Sequence, residues 1–378
     1  MREVSERPVD TWDALFRSIG TGAEPLTGYY HFNYGVALPA ALAGAVALPA
    51  GTPVKLRVPI PRAPQFNLRI WPESELLAAV QGRVTGAPRV LAQRAAFSVH
   101  SFADGDSMLA AGGAGGAVPR AQIERVGGLL RQTVAVPRGV LPPLPPGWPA
   151  DGDCDGFLHA LVDFAECEVK DGNGHAFRDL FAALGVPGDA FARVRARAGS
   201  MGRRPFVLVH TDVHRGNLIV GADGGLALID WELALYGDPV YELATHLSRM
   251  RYTRRVERRA AYRAWRAAVE DGCPGALAGH RHALSVYLGL EAVQSLCTDV
   301  IRGMYVLTRS PDDPSVARAV AARIHTVLHA ARGPAGLGRV PDAERVSAVC
   351  LEWLRCRGGR GRGACRHGRA DDGAWSAA

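Results

Sequence analysis

The sequence predicts an α+β protein in two lobes, a small β-rich N-terminal lobe and a larger helical C-terminal lobe. Three observations predict it. Between residues 27 and 105, short apolar runs alternate with turn residues and only one helical stretch interrupts them. From Phe157 to Ala198 and from Tyr241 to Ala330, apolar residues recur at helical spacing. Between those two blocks, Pro205–His210 and Leu226–Trp231 read as a short strand pair. The length of 378 residues suits one large or two ordinary domains. The expected boundaries are 1–105 for the first lobe, 106–330 for the second, and 331–378 for a tail that loses order beyond about 355. A cleft between two such lobes is a natural ligand site.

The elements follow in order. A short helix is expected at Thr11–Ser18. Thr52–Ile60 and Phe66–Trp71 have partial alternation and a Pro-Arg-Ala-Pro connection, as in a hairpin. After Pro72, Glu-Ser-Glu-Leu-Leu opens a helix, with acids in the first turn where the helix dipole favours them. Two short strands follow, in Arg89–Ala92 and in Phe97–Asp106, and the chain crosses lobes at the Ala103–Gly105 turn. Gly112–Gly116 reads as a flexible break. Pro119–Val134 is helical, and Pro142–Pro149 is a stiff Pro-rich connector.

Composition narrows the function. A hydrophobic share of 48% is that of a folded chain. The net charge of +7 invites a polyanion partner. Nine arginines against five acids lie in 331–378, however, so the body is close to neutral. The Arg/Gly run at 355–370 reads as a disordered end and not as an RNA-binding segment. No nucleic-acid partner is expected. The start of the chain lacks the apolar core of a signal peptide. The weakly apolar Gly35–Gly51 run is broken by Pro39 and Pro49, which argues against a membrane span. Seven scattered cysteines without C-x-x-C fit the reducing cytoplasm, without disulfides or structural zinc. Cys154, Cys167, Cys273 and Cys297 read as buried apolar residues, and the protein as a monomer or weak dimer.

The chemistry concentrates in Val209-His210-Thr211-Asp212-Val213-His214-Arg215-Gly216-Asn217, just after an apolar strand. Thirteen residues on, at the end of the next strand, comes Asp230. A carboxylate at a loop start can accept a proton from an attacking hydroxyl. An Asn oxygen and a second carboxylate are hard donors of the kind Mg²⁺ takes alongside substrate phosphates. Base, metal ligands and nucleotide are the parts of phosphoryl transfer.

These residues, with Ile229-Asp230-Trp231-Glu232 and Gly237-Asp238-Pro239-Val240-Tyr241-Glu242-Leu243-Ala244, resemble the aminoglycoside phosphotransferase family. The resemblance is strong over about 205–247 and extends over about 25–330. It implies a protein-kinase-like fold and transfer of the ATP γ-phosphate, with GTP not excluded, to a hydroxyl of a small molecule such as an antibiotic or metabolite. It further implies Asp212 as catalytic base, His210 as a brace of the loop, and Asn217 and Asp230 as Mg²⁺ ligands. Two departures stand out: Thr211 replaces the usual Gly, and Glu242 the usual Asp. In the small lobe, the resemblance implies a basic residue that contacts the phosphates and a Glu that holds it. Arg69 and Glu73 are the expected pair, with Lys55 and Arg57 as rivals. Gly28–Gly35 takes the place of the phosphate-covering loop, with Asn33 in it. Val99–Phe102, including Ser101 and Phe102, takes the place of the hinge that faces adenine.

Other readings use the same residues. A non-catalytic kinase-like module is expected to lack the base or a metal ligand, and Asp212, Asn217 and Asp230 are all present. On a strand, His210, Asp212 and His214 would share one face. That suggests a metal-dependent hydrolase, with His280 and His282 as further ligands, but leaves Asn217 and Asp230 idle. A protein kinase acting on proteins ranks lower, because Asp230 is followed by Trp-Glu and no Ala-Pro-Glu is present. Glu291 and Asp299 lie in the stretch that resembles the acceptor-pocket region.

Overall fold

The computed structural model describes residues 11–19, 26, 30–61, 66–113 and 115–360. The N-terminal part contains α1 (Thr11–Ile19), β1 (His31–Ala37), α2 (Ala40–Val46), β2 (Pro53–Pro59), α3 (Glu73–Val80), β3 (Val90–Gln93) and β4 (Ser98–Ser101). Its four strands form one antiparallel sheet in the order β1-β2-β4-β3. Strand β2 is central, and its alternation divides the lobe. Val54 and Leu56 are fully buried against Trp12, Leu38, Leu42 and Val99. Lys55 and Arg57 alternate with them and line the cleft between the lobes.

The chain then enters the larger part through β5 (Asp106–Ser107), which pairs with β7 (Leu218–Val220). Gly105 makes the crossing at φ +125°, where a Cβ would stand 2.2 Å from the carbonyl oxygen of Val220. No side chain fits there. Next come α4 (Met108–Gly112), α5 (Arg120–Val134), α6 (Cys154–Phe164), a π-helical turn (Ala165–Asp171), α7 (Gly174–Ala183) and α8 (Ala190–Ala198). Strand β6 (Val207–Val209) pairs with β9 (Leu235–Gly237), and β7 pairs with β8 (Leu226–Leu228). The loops of these two ribbons carry the candidate chemistry. Helices α9 (Pro239–Arg249), α10 (Arg255–Gly272), α11 (His280–Arg309), α12 (Pro314–Ala335) and α13 (Ala343–Arg360) complete the fold. By length and composition alone α11 could cross a membrane. Here it is the central core helix, with Tyr287, Leu290, Val293 and Leu296 fully buried.

The structure corrects the sequence reading in several places. Phe66–Trp71 is not a strand. Both edges of β2 are taken, by β1 and β4, so the hairpin has no place to form. A helix, α2, lies in the apolar run between β1 and β2. Strand β8 stops at Leu228, before Asp230. The boundary at 330 falls inside α12, and the stretch beyond it is folded. Helix α13 buries Val346, Val349 and Cys350, and Trp353 stacks on Phe177 at 5.1 Å. The disorder expected beyond about 355 is corrected over 355–360, which continue α13, and residues 361–378 lie outside the described residues. Cys167 is exposed, whereas Cys154, Cys273 and Cys297 are buried. The break at Gly112–Gly116 is also an anchor, because the carbonyls of Gly113 and Gly116 accept hydrogen bonds from Arg215 at 3.1 and 2.6 Å.

Candidate active site

The loop after β6 is built from its backbone outward. Thr211 has φ +62°, a left-handed conformation that disfavours a β-branched residue. Three contacts hold it there. Its Oγ1 donates to Leu233 O at 2.8 Å, its N–H donates to Glu242 Oε2 at 3.2 Å, and the same carboxylate oxygen takes the N–H of His210. The two departures from the family pattern, Thr211 and Glu242, therefore meet at one point. Burial pushes the Glu242 carboxyl up to about 7 against those two N–H bonds. His210 is buried edge-on to Trp231 at 4.7 Å, and its Nδ1 accepts the N–H of Asp212 at 3.3 Å. Burial brings the imidazole down to about 4, so it is neutral at pH 7.

Asp212 sits at the centre of the loop. Its Oδ1 accepts from Arg249 Nη1 at 2.8 Å, and its Oδ2 accepts from Asn217 Nδ2 at 2.9 Å. His214 Nε2 lies 3.4 Å from Oδ2. Burial works against the charged carboxyl, but His214 and then Arg249 outweigh it and hold the group well below its usual range. The Asn217 amide nitrogen also donates to Asp212 O at 3.0 Å. Those two bonds orient the amide and leave Oδ1 for another partner. Ile229 N donates to Asn217 O at 3.0 Å, which draws Asp230 alongside.

Asp230 has φ +67° and is one of three acids around a single guanidinium. Arg57 pairs with Glu73 through Nη1, and its Nη2 lies 3.1 Å from Glu232 Oε2 and 3.4 Å from Asp230 Oδ1. Glu73 Oε1 also accepts the N–H of Trp231 at 2.8 Å, tying α3 to the Asp230 turn. Burial first, and Glu232 second, raise the Asp230 carboxyl above its usual range. Burial and the Arg57 charge lower the nearby Lys55 ammonium to about 8.

This arrangement corrects the small-lobe assignment. The residue held by Glu73 is Arg57, not Arg69. Arg57 is on a strand facing the cleft, whereas Arg69 is off the sheet, with its guanidinium 4.2 Å from the Tyr30 ring centre. Asn33 is not in a loop. It is buried in β1 opposite Arg57, and its Nδ2 donates to His31 O at 3.2 Å. Gly28 and Tyr29, the start of the stretch expected to cover the phosphates, lie outside the described residues. Ser101 and Phe102 line the cleft with Lys55, Arg57, Ile229 and Asp230, around about 590 Å³ of empty space. The N–H of Ser101 is already given to Arg89 O at 2.8 Å, so Phe102 and Ala103 present the next backbone edge.

Other histidines do not join the site. His280 Nε2 meets Tyr262 OH at 2.6 Å, and His282 Nε2 meets Ala198 O at 2.7 Å. Among the described residues no group of three or more His, Cys, Asp or Glu could hold a metal by itself.

The phosphotransferase enzyme family matches residues 56–280, more than half of the sequence. The chain belongs to that family. No curated protein matches it. Among solved structures, this family member is similar to an ethanolamine kinase of Plasmodium vivax, with a TM-score of 0.52 and 11% identity over 89% of this chain and 84% of that one. It is similar also to a thermostable mutant of aminoglycoside phosphotransferase APH(4)-Ia, in ternary complex with AMP-PNP and hygromycin B. That match has a TM-score of 0.51 and 14% identity over 87% of this chain and 99% of that one. The shared fold is the kinase-like one, a small antiparallel sheet lobe against a larger helical lobe.

Sequence reasoning passed over Glu232 and Arg249. Glu232 stands two residues after Asp230, the one signal available. Arg249 shares a helix face with Tyr241 and Thr245, where a single charge on a buried stripe is the available signal. His246, also buried on α9, holds the loop through Val213 O at 2.9 Å.

Proposed function

We propose that this chain transfers the γ-phosphate of ATP, with Mg²⁺, to a hydroxyl of a small molecule. The observation that carries the reading is the two-point hydrogen bonding of Asn217 Nδ2, which donates to Asp212 O at 3.0 Å and to Asp212 Oδ2 at 2.9 Å. It sets a carboxylate for the incoming hydroxyl beside an amide oxygen and the Asp230 carboxylate.

The residues present fit the absent groups. Asn217 Oδ1 and the Asp230 carboxylate are hard oxygen donors. Glu73, Glu232 and Asp230 outnumber Arg57 and Lys55, so the cleft holds surplus negative charge where a divalent cation belongs. Asp230 is the most open of the three acids, with 34% of its side chain exposed, against 6% for Glu73 and 8% for Glu232. The cleft also suits a nucleotide. Leu26, Phe102, Ile219 and Ile229 give it apolar walls, and Lys55 and Arg57 stand at its charged end. His100 Nε2, buried in the same cleft, has no hydrogen-bond partner among the described residues. Bound Mg²⁺ would neutralise phosphate oxygens.

The protein's own part is positioning. Asp212 accepts the hydrogen of the acceptor hydroxyl and aims its oxygen. Its depressed basicity suits a loose transition state, in which the proton leaves late. His210 holds the Asp212 backbone from within, and Arg57, locked by Glu73, directs positive charge at the phosphates. The reading places the protein in the cytoplasm, where ATP is abundant.

The test is nucleotide consumption with Mg²⁺ and ATP, and in parallel GTP, against a panel of hydroxylated antibiotics and metabolites. Turnover should require Mg²⁺, and Asp230→Ala should abolish it while circular dichroism is unchanged. Full turnover in that variant, or without divalent cation, would overturn the assignment.

A further inference from the structure

The groups placed so far in the interlobe cleft leave His100 unused. It lies on β4, is only 2% exposed, and its Nε2 has no hydrogen-bond partner among the described residues. It lines the cleft next to Ser101, Phe102 and Ala103. A buried ring nitrogen without a partner costs free energy that a polar group of a ligand recovers.

Strand register fixes which part of a nucleotide this atom meets. Arg57 stands opposite Ser98, at the end of the cleft marked by Glu73 and Asp230, where the phosphates belong. Lys55 and His100 face each other two residues nearer the lobe crossing, a step of about 7 Å along a strand. Past them the lining turns apolar, with Leu26, Phe102, Ile219 and Ile229. His100 thus stands at the border between the charged end and the end that suits an aromatic base. The next side chain is already engaged, because Ser101 Oγ accepts the N–H of Arg89 at 2.9 Å. Burial first, and then the charges of Arg57 and Lys55, hold the His100 imidazole well below its usual range, so the ring is neutral at pH 7. A neutral imidazole has one N–H and one bare nitrogen, and exchanges them by changing tautomer.

Adenine and guanine share their ring shape and their N7 acceptor. They differ at position six, where adenine carries an amino donor and guanine a carbonyl acceptor. A side chain fixed as donor or as acceptor serves one base and leaves a buried group unpaired against the other. His100 is not fixed in this way. With its proton on Nδ1, Nε2 accepts from an amino group, and with the proton on Nε2 it donates to a carbonyl. The backbone edge of Phe102 and Ala103 likewise offers both donors and acceptors. Resting on the phosphotransferase reading, we infer that His100 reads position six of the purine and lets this chain use GTP as well as ATP. It is a specificity residue for the nucleotide, and the chemistry at Asp212 does not involve it.

The experiment is calorimetric titration of the full chain, in Mg²⁺, with AMP-PNP and with GMP-PNP, while ¹⁵N NMR follows the ring nitrogens of His100 in each complex. Wild type should bind the two nucleotides within about tenfold of each other. The His100 proton should sit on Nδ1 in the AMP-PNP complex and on Nε2 in the GMP-PNP complex. His100→Gln, whose amide donates or accepts by turning over, should keep both affinities, whereas His100→Met should weaken both about tenfold. A wider gap between the nucleotides in wild type, in either direction, would overturn the inference and leave the phosphotransferase reading standing. The same tautomer in both complexes would overturn it too, since His100 would then meet the shared N7 or neither base, and this measurement depends on no variant. Unchanged affinity for both nucleotides in a folded His100→Met would also overturn it. A folded wild type that binds neither nucleotide would sink the reading on which the inference rests.

Discussion

The two sides of the interlobe cleft are each organised by one buried or half-buried arginine, and they differ in how their acids are held. On the small-lobe side, Arg57 meets Glu73, Asp230 and Glu232, with Lys55 lining the cleft and His31, 3.2 Å from Glu232, adding a further positive charge when protonated. On the large-lobe side, Arg249 meets Asp212 and Glu291, with His214 adding a further positive charge when protonated. With both histidines neutral, the first side holds three acids against two cations, and the second holds two acids against Arg249 alone, whose guanidinium meets both. The difference teaches where a cation belongs. A loosely held carboxylate in a partly desolvated cleft, as Asp230 is at 3.4 Å from Arg57, is stable only beside added positive charge, whereas acids bonded to one guanidinium work as a fixed scaffold.

The sharpest way to break the comparison is at Asp212. Asp212→Asn should lower kcat by about 10²–10⁴-fold in the coupled assay. Nucleotide affinity should stay nearly constant, since the acids around Arg57 are untouched. A loss of nucleotide binding equal to the loss of rate would show that the two sides are not separable.

Arg57→Met probes the other side. It leaves Glu73 and Glu232 buried without their partner, and breaking such a pair costs about 3–5 kcal/mol. A urea melt should show that loss, and Mg²⁺ should recover part of it by supplying the missing charge. A variant as stable as wild type would mean that the acids are neutralised in some other way.

Glu242 ties the loop to α9, and its titration should appear in stability. Its folded carboxyl stands near 7 against an ordinary 4.5. The native state therefore holds a proton that the unfolded chain releases, so this contribution is full below about 4.5 and is lost as pH rises to about 7. His210 and His246, both lowered to about 4 by burial, act in the opposite direction, since acid must charge them. The difference between wild type and Glu242→Gln removes the histidine contribution. It should change by about 2–3 kcal/mol between pH 5 and pH 8 in urea melts, with wild type losing more stability on the way up. A flat difference would place the carboxyl in ordinary surroundings.

The smallest effect should come from Thr211→Gly. Relief of left-handed strain, about 1–2 kcal/mol, is offset by loss of the Oγ1 bond and by a freer unfolded chain. The net change in a urea melt should stay within about 1 kcal/mol. Glu242→Asp should cost more alone than with Thr211→Gly, because both residues hold the same turn. Strict additivity would separate them.

Much of this was legible in the chain. Pro205–His210, which contains β6, and Gly237-Asp238-Pro239 announce their roles locally. Asp238 caps α9 through Val240 N at 3.0 Å, Pro239 opens the helix, and Gly237 leaves room for the ring of Phe157. Asp212 and Asn217 are five residues apart, close enough for a loop to bring them together. Arg57 and Arg69 were not separable by such means. Both are basic, both follow an apolar residue, and both precede Glu73. Choosing between them required knowing that β2 is central and that its two edges are occupied.

The two-lobed class, the candidate loop at 210–217 and the family were readable from the chain alone, because these depend on period, on turn chemistry and on side chains a few residues apart. The tertiary structure alone decided which arginine Glu73 holds, where the folded chain continues past 330, and that Arg249 cancels Asp212 and Glu291. Those outcomes join residues 16 to more than 150 positions apart. Their energies come from desolvation and from charges brought within 4 Å, and no local pattern in the chain encodes which distant carboxylate a guanidinium will meet.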